Sequence, residues 1–355
     1  MQARAHTGAC LANLVKMAVV LCKAAARQCP RTGPGRPPQF EDWQIAVIIM
    51  VAVLNRRKSK SAQYRFLHQR QSQLKLWLHL QAFPARSTYF ARYRHANRLF
   101  QTAIRLQGRR ALAEGVADPR AVAVDKSAVA AKGRAWWRSH GRPIQPPPAG
   151  VDTQAGWTKT KHDGWVWGYS FETVVTAPRQ GAVFPLLASV GPANISECQS
   201  FKDKIPQLPP STRHVLADAA YDSNAYQNAI EFDSKDKPTG RHFLCPLIPR
   251  AGKPKVGLSL HRGLRGLLCK RRQLRLQFFE SPLGQTLYRR RSKTIEPFHD
   301  WFKNCFELAD RVWHRGLDNN RTQLLAAIFS YQLLVRYNHL NGHKNAQVQS
   351  ILDRL

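Results

Sequence analysis

Three acidic residues carry the chemistry open to this chain. Asp125 follows the apolar run Ala121-Val122-Ala123-Val124, Asp218 follows Val215-Leu216-Ala217, and Glu296 lies early in a patterned helical stretch from Thr294 to Leu308. An apolar run closed by an aspartate reads as a strand that delivers a carboxylate at its end, where α/β sheets gather functional groups. If the two strands are neighbours, both carboxylates meet at one edge. Lys303 stands seven residues beyond Glu296, so the two share a helical face. Carboxylate oxygens suit hard Mg2+ or Mn2+. Two such ions about 3.5–4 Å apart can activate an attacking oxygen and stabilise a leaving one in phosphodiester chemistry. Each acid alone has a plainer reading. Asp125 or Asp218 can cap a turn, and Glu296, just before Pro297, can be a first-turn charge that favours the helix dipole. Asp222 is assigned to capping the helix after Ser223, and Asp152 and Asp163 to solvated loop-like segments. The combination of strand-Asp, strand-Asp and helix-Glu in a basic chain is what points to catalysis.

The chain is very basic. Lys and Arg total 55 against 22 acids, a formal net charge of +33. A compact protein with that imbalance repels itself unless a polyanion neutralises it, and nucleic acid is the usual one. Hydrophobic residues at 43% exclude a disordered chain. A membrane is not the expected partner. The longest apolar run, Ile45 to Leu54, is about half the ~20 residues of a spanning helix, and Lys16 and Lys23 interrupt Leu11 to Ala26, which reads as an amphipathic helix. The seven cysteines are odd in number, widely spaced and without a C-x-x-C pair, which fits reduced thiols and neither a disulfide framework nor a zinc site.

The elements that must position the acids fall into three regions. Residues 1–119 read as helical, broken by the turn-rich Arg31 to Pro38, with Glu41 to Leu54 a buried helix and Ser59 to His79 apolar at helical spacing. Arg86 to Arg94 begins at a cap-like Ser87 and interleaves aromatics with arginines, which suits a helix-turn-helix arrangement on DNA; a plain bundle with solvated cations is the other reading. From about residue 120 the pattern changes to strands mixed with helices, an α/β or α+β core. Trp165 to Thr176, Ala182 to Val190 and His242 to Leu247 read as strands, and Ser223 to Phe232 as a helix. Residues 250–291 are strongly basic, opposed only by Glu280, and Asn319 to Leu340 reads as a long apolar helix that packs on the core.

With these parts in order, the chain resembles the DDE-type transposases of bacterial insertion sequences, in particular the "insertion sequence four" group. Val124-Asp125-Lys126-Ser127 is similar to the first-Asp strand, and His162-Asp163-Gly164-Trp165-Val166-Trp167-Gly168-Tyr169 to the strand pair after it. Gly191-Pro192-Ala193-Asn194-Ile195-Ser196-Glu197 resembles the loop before the second-Asp strand, and Leu216-Ala217-Asp218-Ala219-Ala220-Tyr221-Asp222-Ser223 the second-Asp motif. Tyr288 to Arg291, through Glu296, to Lys303 resembles the Tyr-Arg-Glu-Lys signature. That signature has three residues between Arg and Glu, whereas four separate Arg291 from Glu296 and Ser292 holds the expected place, so Arg290 or Lys293 is an alternative to Arg291.

The resemblance implies a mixed α/β, ribonuclease-H-like catalytic core over residues 120–340, preceded by a helical, DNA-binding region over 1–119 and followed by a tail, 341–355. It makes 250–291 part of a basic insertion before the Glu-bearing helix. It implies two Mg2+ ions (or Mn2+) on Asp125, Asp218 and Glu296, and DNA contacts from Lys303, Arg291, Arg290, Lys293, Arg271 and Arg272. The implied activity is cleavage and strand transfer of an insertion sequence. The partners would be its terminal inverted repeats and target DNA, engaged as a homodimer in the bacterial cytoplasm at the nucleoid. A nuclease of the same fold, or a non-enzymatic DNA-binding protein left by an inactivated transposase, is the alternative. Trp136, Trp137, Trp157, Trp165 and Trp167 could stack a base or fill the sheet; His299 is expected to pack, and Tyr221 and Tyr288 are not nucleophiles.

Overall fold

The computed structural model describes residues 2–30, 38–136, 138–139, 142–143, 145–160, 163–247, 264–343 and 347–355. The chain opens with α1 (Gln2–Gln28), whose Leu11, Leu14, Val15, Ala18, Leu21, Cys22 and Ala25 recur at helical spacing and are buried. Next comes α2 (Asp42–Leu54), apolar all round and buried from Gln44 onward, as such a helix must be. The stretch from Ser59 to His79 is two helices, α3 (Lys60–Gln69) and α4 (Gln71–Leu78), separated at Arg70. In α5 (Arg86–Tyr93) the N-cap is Ala85 and not Ser87, and the aromatics point inward, with Tyr89 and Tyr93 buried. The last of this group is α6 (Asn97–Ala113).

The sheet follows. β1 (Ala121–Ala130) does not stop at Asp125: it runs five residues further, because Lys126 to Ala130 pair antiparallel with Glu172 back to Gly168. A short hairpin, β2 (Arg138–Ser139) and β3 (Arg142–Pro143), precedes β4 (Gly156–Thr160), which pairs with the first residues of the long β5 (Gly164–Thr176). β6 (Pro185–Pro192) also pairs antiparallel with β5. After the short α7 (Glu197–Ser200) comes β7 (His214–Leu216), parallel to β1 with Ala121 opposite His214 and Ala123 opposite Leu216. α8 (Asn224–Glu231) then crosses over to β8 (His242–Leu244), parallel to β7. An antiparallel meander continued by two parallel strands is the mixed α/β, ribonuclease-H-like fold that the resemblance implies.

Three helices complete it. α9 (Leu264–Glu280) and the first part of α10 (Pro282–Cys305) form the described part of the basic insertion 250–291, and the Glu-bearing helix starts earlier than Thr294; residues 250–263 lie outside the described residues. α11 (Leu317–Leu340) is buried along most of its length. Its Gln332 Nε2 donates to the carbonyls of Ile104 in α6 (3.0 Å) and Pro185 in β6 (2.7 Å). The buried apolar side chains of α1, α2, α6, α11 and the sheet form one cluster. Residues 341–355, read as a tail, include α12 (Gln349–Leu352), whose Ile351 and Leu352 join that cluster. Asp152, read as solvated, is buried: it accepts from Tyr169 Oη (2.7 Å) and the amide of Gly316 (2.8 Å). Among the described residues no helix is long and apolar enough to cross a membrane.

The corner between α9 and α10 sets where α10 points. Ser281 caps α10 by accepting from the amide of Gly284 (3.0 Å), and a Cβ on Gly284 would sit 2.0 Å from the carbonyl oxygen of Phe278. That contact is with backbone, so the helices would have to part. Gly284→Ala is therefore expected to destabilise the fold by about 2 kcal/mol, read as a lower urea midpoint.

Candidate active site

Asp125 sits mid-strand in β1, between β5 and β7. Its Oδ1 accepts from the amide of Lys126 (2.9 Å), and its Oδ2 faces Arg291 Nη2 at 3.0 Å and His299 Nδ1 at 4.0 Å. Asp218 lies two residues past β7, at the start of a 3-10 turn, Ala219–Tyr221. There it does cap a turn, its Oδ1 accepting from the amide of Ala220 at 3.0 Å. Its Oδ2 is still turned to the same guanidinium, 3.8 Å from Arg291 Nη2. Glu296 is not at the start of its helix: α10 begins at Pro282 and continues through Pro297. A proline is tolerable there because Pro297 and Lys293, whose carbonyl loses its partner, both lie on the exposed side where water reaches. Glu296 Oε1 lies 2.9 Å from Arg291 Nη1. One guanidinium thus touches all three acids.

The extra residue between Arg291 and Glu296 explains how. At 3.6 residues per turn, five positions place Arg291 roughly 140° round the helix from Glu296, so its long side chain reaches back across the sheet-facing side of α10. Neither alternative takes that place. Arg290 lies among Arg179, Arg120 and Asp118, and Lys293 is exposed. Lys303 is half-buried on the same helix, within electrostatic reach of Asp300, Asp163 and Asp125. Burial lowers the pKa of its ammonium, and those acids oppose the shift.

Burial dominates the electrostatics. The Asp125 side chain is only 16% exposed. Burial pushes its carboxyl up to about 7; Arg291 pulls it down, while Asp218 and Glu296 push it up. Asp218 is raised for the same first reason, again opposed by Arg291. Burial also brings the His299 ring down to about 3, so it is neutral, with Nε2 3.0 Å from Thr173 Oγ1 and its ring packed on Phe171. Tyr288 is pushed up to about 12 by burial and packs on Phe279.

Behind the site lies a network absent from the sequence reading. Glu172, on the opposite face of β5 from Thr173, is 1% exposed and pairs with Lys204 Nζ at 2.5 Å. Tyr221 Oη donates to its other oxygen at 3.0 Å, and Ser200 Oγ also donates to it. Tyr221 ends the turn that Asp218 begins, so this buried pair anchors the turn and with it the second acid. Lys126 is directed at the loop after β6, 2.9 Å from Glu197 Oε1 and 2.7 Å from the carbonyl of Ile195.

Other predicted positions have internal partners. Arg271 Nη2 meets Asp236 at 2.7 Å with its guanidinium 3.6 Å over the Phe232 ring, and Arg272 Nη2 meets Asp222 at 2.6 Å. Arg275 Nη2 also meets Asp222, at 2.9 Å. Asp222 is therefore a buried counter-ion that clips α9 to α8, and not a helix cap; Ser223 is the cap, accepting from the amide of Ala225 at 3.2 Å. Trp136, Trp157 and Trp167 pack on one another, Trp165 stands exposed, and Trp137 lies outside the described residues.

The donor set suits a hard divalent cation: three carboxylates and no sulfur or nitrogen, gathered round one positive charge. In the present conformation that charge belongs to Arg291. Among the described residues, no three metal-ligating side chains are already spaced to hold an ion.

Residues 117–333, more than half of the chain, match the family model of the transposase DDE domain. The chain belongs to the DDE transposase family. No curated protein and no solved structure matches it. The matched stretch of this DDE transposase runs from just before β1 to within α11, so Asp125, Asp218, Arg291 and Glu296 all lie inside it.

The raised pKa of Asp125 has a measurable sign. An unfolded aspartate releases its proton near 3.9, whereas this one holds it to about 7. The native state therefore binds more protons between those values, and without divalent cation its stability falls as pH rises through that window. Asp125→Asn is expected to flatten that decline, read from urea midpoints between pH 5 and pH 8.

Proposed function

We propose that this DDE transposase cuts DNA at the ends of an insertion sequence and joins them to target DNA, using Asp125, Asp218 and Glu296. The observation that carries the reading is the meeting of those acids, from β1, the turn after β7 and α10, around one cation. Mg2+ or Mn2+, as a pair held by those carboxylates, would lower the pKa of the attacking water and stabilise the leaving oxygen. The protein's own residues supply the rest. Neutral His299, held by Thr173, buttresses Asp125 without competing for it. Arg291 offsets the charge of the acids here; with divalent cations on those carboxylates its guanidinium would be released to bind the phosphate beside the scissile bond, a bidentate partner for that group. Lys303 meets the same strand as a point charge. Water opens a phosphodiester and frees a 3′-OH, which then attacks the target strand. Tyr221 and Tyr288, both held as neutral phenols by burial, form no covalent link to DNA.

The surplus of 33 positive charges supports DNA as the substrate. Arg290 and Lys293 are on the outer side of α10, where they can follow a flanking backbone. Arg271 and Arg272 act through α9, holding it in place beside the DNA path. The helices before β1 contribute DNA contacts, and the family resemblance supports assembly as a homodimer on paired ends.

Purified protein incubated with Mg2+, labelled element ends and a target plasmid tests this. Wild type is expected to cut and join, and Asp218→Ala to lose both while still binding the ends. Normal cutting by that variant sinks the assignment; cutting without joining identifies a nuclease, and binding with neither identifies an inactivated copy. Arg291→Gln carries a second prediction. With the acids left unpaired, the metal-free variant should lose about 3 kcal/mol of stability. It should also gain more in Tm from Mg2+ than wild type does. An unchanged metal response would show that Arg291 does not hold the cation's place.

A further inference from the structure

A cavity of about 320 Å3 opens where the N-terminus of α3 meets the segments after β1 and before α11. Lys60, Ser61, Lys132, His314, Arg315 and Asn319 line it, and no acid does. The acceptors of both lysines are neutral. Lys60 Nζ donates to Asn319 Oδ1 (2.8 Å) and stands 5.3 Å over the Tyr93 ring; Lys132 Nζ donates to the carbonyl of Trp313 (3.1 Å). Among the described residues no carboxylate lies within ion-pair distance of Lys60, Lys132 or Arg315. Arg86 adds charge at the rim, donating to Ser61 Oγ at 3.0 Å.

This is unlike the cations buried elsewhere in the molecule, where Lys204 meets Glu172, Arg336 meets Glu114 and Arg275 meets Asp222. Burial lowers the Lys60 pKa here, and Arg94 pushes the same way. Burial also brings His314 down to about 3, helped by Lys60 and Lys132, so the ring is neutral and bonds Tyr93 Oη at 3.0 Å. Lys60 is half-buried while Lys132 and Arg315 are exposed at the mouth; three like charges lining one cavity repel one another, and a bound anion offsets that repulsion. The helix N-terminus with its free amides and the Ser61 hydroxyl add donors of the kind that hold tetrahedral oxyanions.

We propose that this cavity is a phosphate-binding site, gripping one DNA backbone phosphate between Lys60, Lys132 and Arg315, with none of the three acids in its lining. The contact fastens α3, the exit of β1 and the entry to α11 to one point on the DNA. It carries no sequence preference, since the phosphate is the same at every step. It stands apart from the catalytic reading, because a chain that only bound DNA would use it equally.

The test is lysine acetylation of the full chain read by mass spectrometry, alone, with duplex DNA, and with inorganic phosphate at matched ionic strength. DNA is expected to protect Lys60 and Lys132 while leaving exposed Lys235 reactive. Protection by inorganic phosphate but not by DNA would keep the phosphate site and assign it to the free ion; protection by neither overturns it. Lys60→Gln and Lys132→Gln give the second measurement. Each should weaken duplex binding about tenfold and reduce the slope of log affinity against log salt by about 1. The double variant should reduce it no further, because both lysines meet one phosphate. Unchanged slopes with intact folding overturn the proposal. End cleavage, scored separately with Asp218→Ala, reports on the active site whichever way this falls.

Discussion

Three carboxylates cannot share one small space in their ionised form unless positive charge is held among them. That constraint organises this molecule. Asp125, Asp218 and Glu296 come from distant parts of the chain, and Arg291 is the charge that lets them meet. The requirement reaches outward. Arg291 must lie 10% exposed on α10, α10 must cross the face of β1 and β5, and the corner at Gly284 must be tight enough to send it there. The pair of Glu172 with Lys204 meets the same requirement on the other face of the sheet, where a buried acid needs its own cation.

Much of this layout was legible in the sequence, and its gaps have physical causes. Apolar runs announce strands, so the elements leading to Asp125 and Asp218 could be read directly. The remainder of β1 could not, because Asp125, Lys126 and Ser127 look like the polar start of a loop; only the ladder to β5 makes them strand. Pro297 suggested a helix start at Thr294, and the run of arginines before it read only as part of a basic insertion. Both cues are local. The helix actually starts at Ser281 and Pro282, and burial of Leu287 and Arg291 stabilises its first half. Asp152 and Asp222 looked like ordinary turn acids because their partners, Tyr169 and Arg275, are remote in sequence. Glu172 gave no signal at all: a single acid in an apolar strand becomes informative only once Lys204 is seen beside it.

The helices before β1 show the same dependence on distant contacts. Their burial pattern was readable from apolar spacing, most clearly in α2. What the spacing could not say is that α6 and α11 are bridged by Gln332, which also holds β6. The helical region and the sheet therefore share one interior, and the acids are referenced to the same rigid body as the basic surfaces around them.

The mountings of the three acids differ. Asp125 is laddered to β5 opposite Thr173, two residues beyond the pairing of β1 with β7, and Asp218 begins a turn hooked to Glu172 through Tyr221. Glu296 is 55% exposed, on the outer side of a helix whose Ile295, Phe298 and Phe302 are buried in the core. The site resembles a vice with one jaw cut from the sheet and the other from a helix. Because Arg291, Glu296 and Lys303 ride on that single rod, the place where α10 is seated sets the grip on cation and strand together.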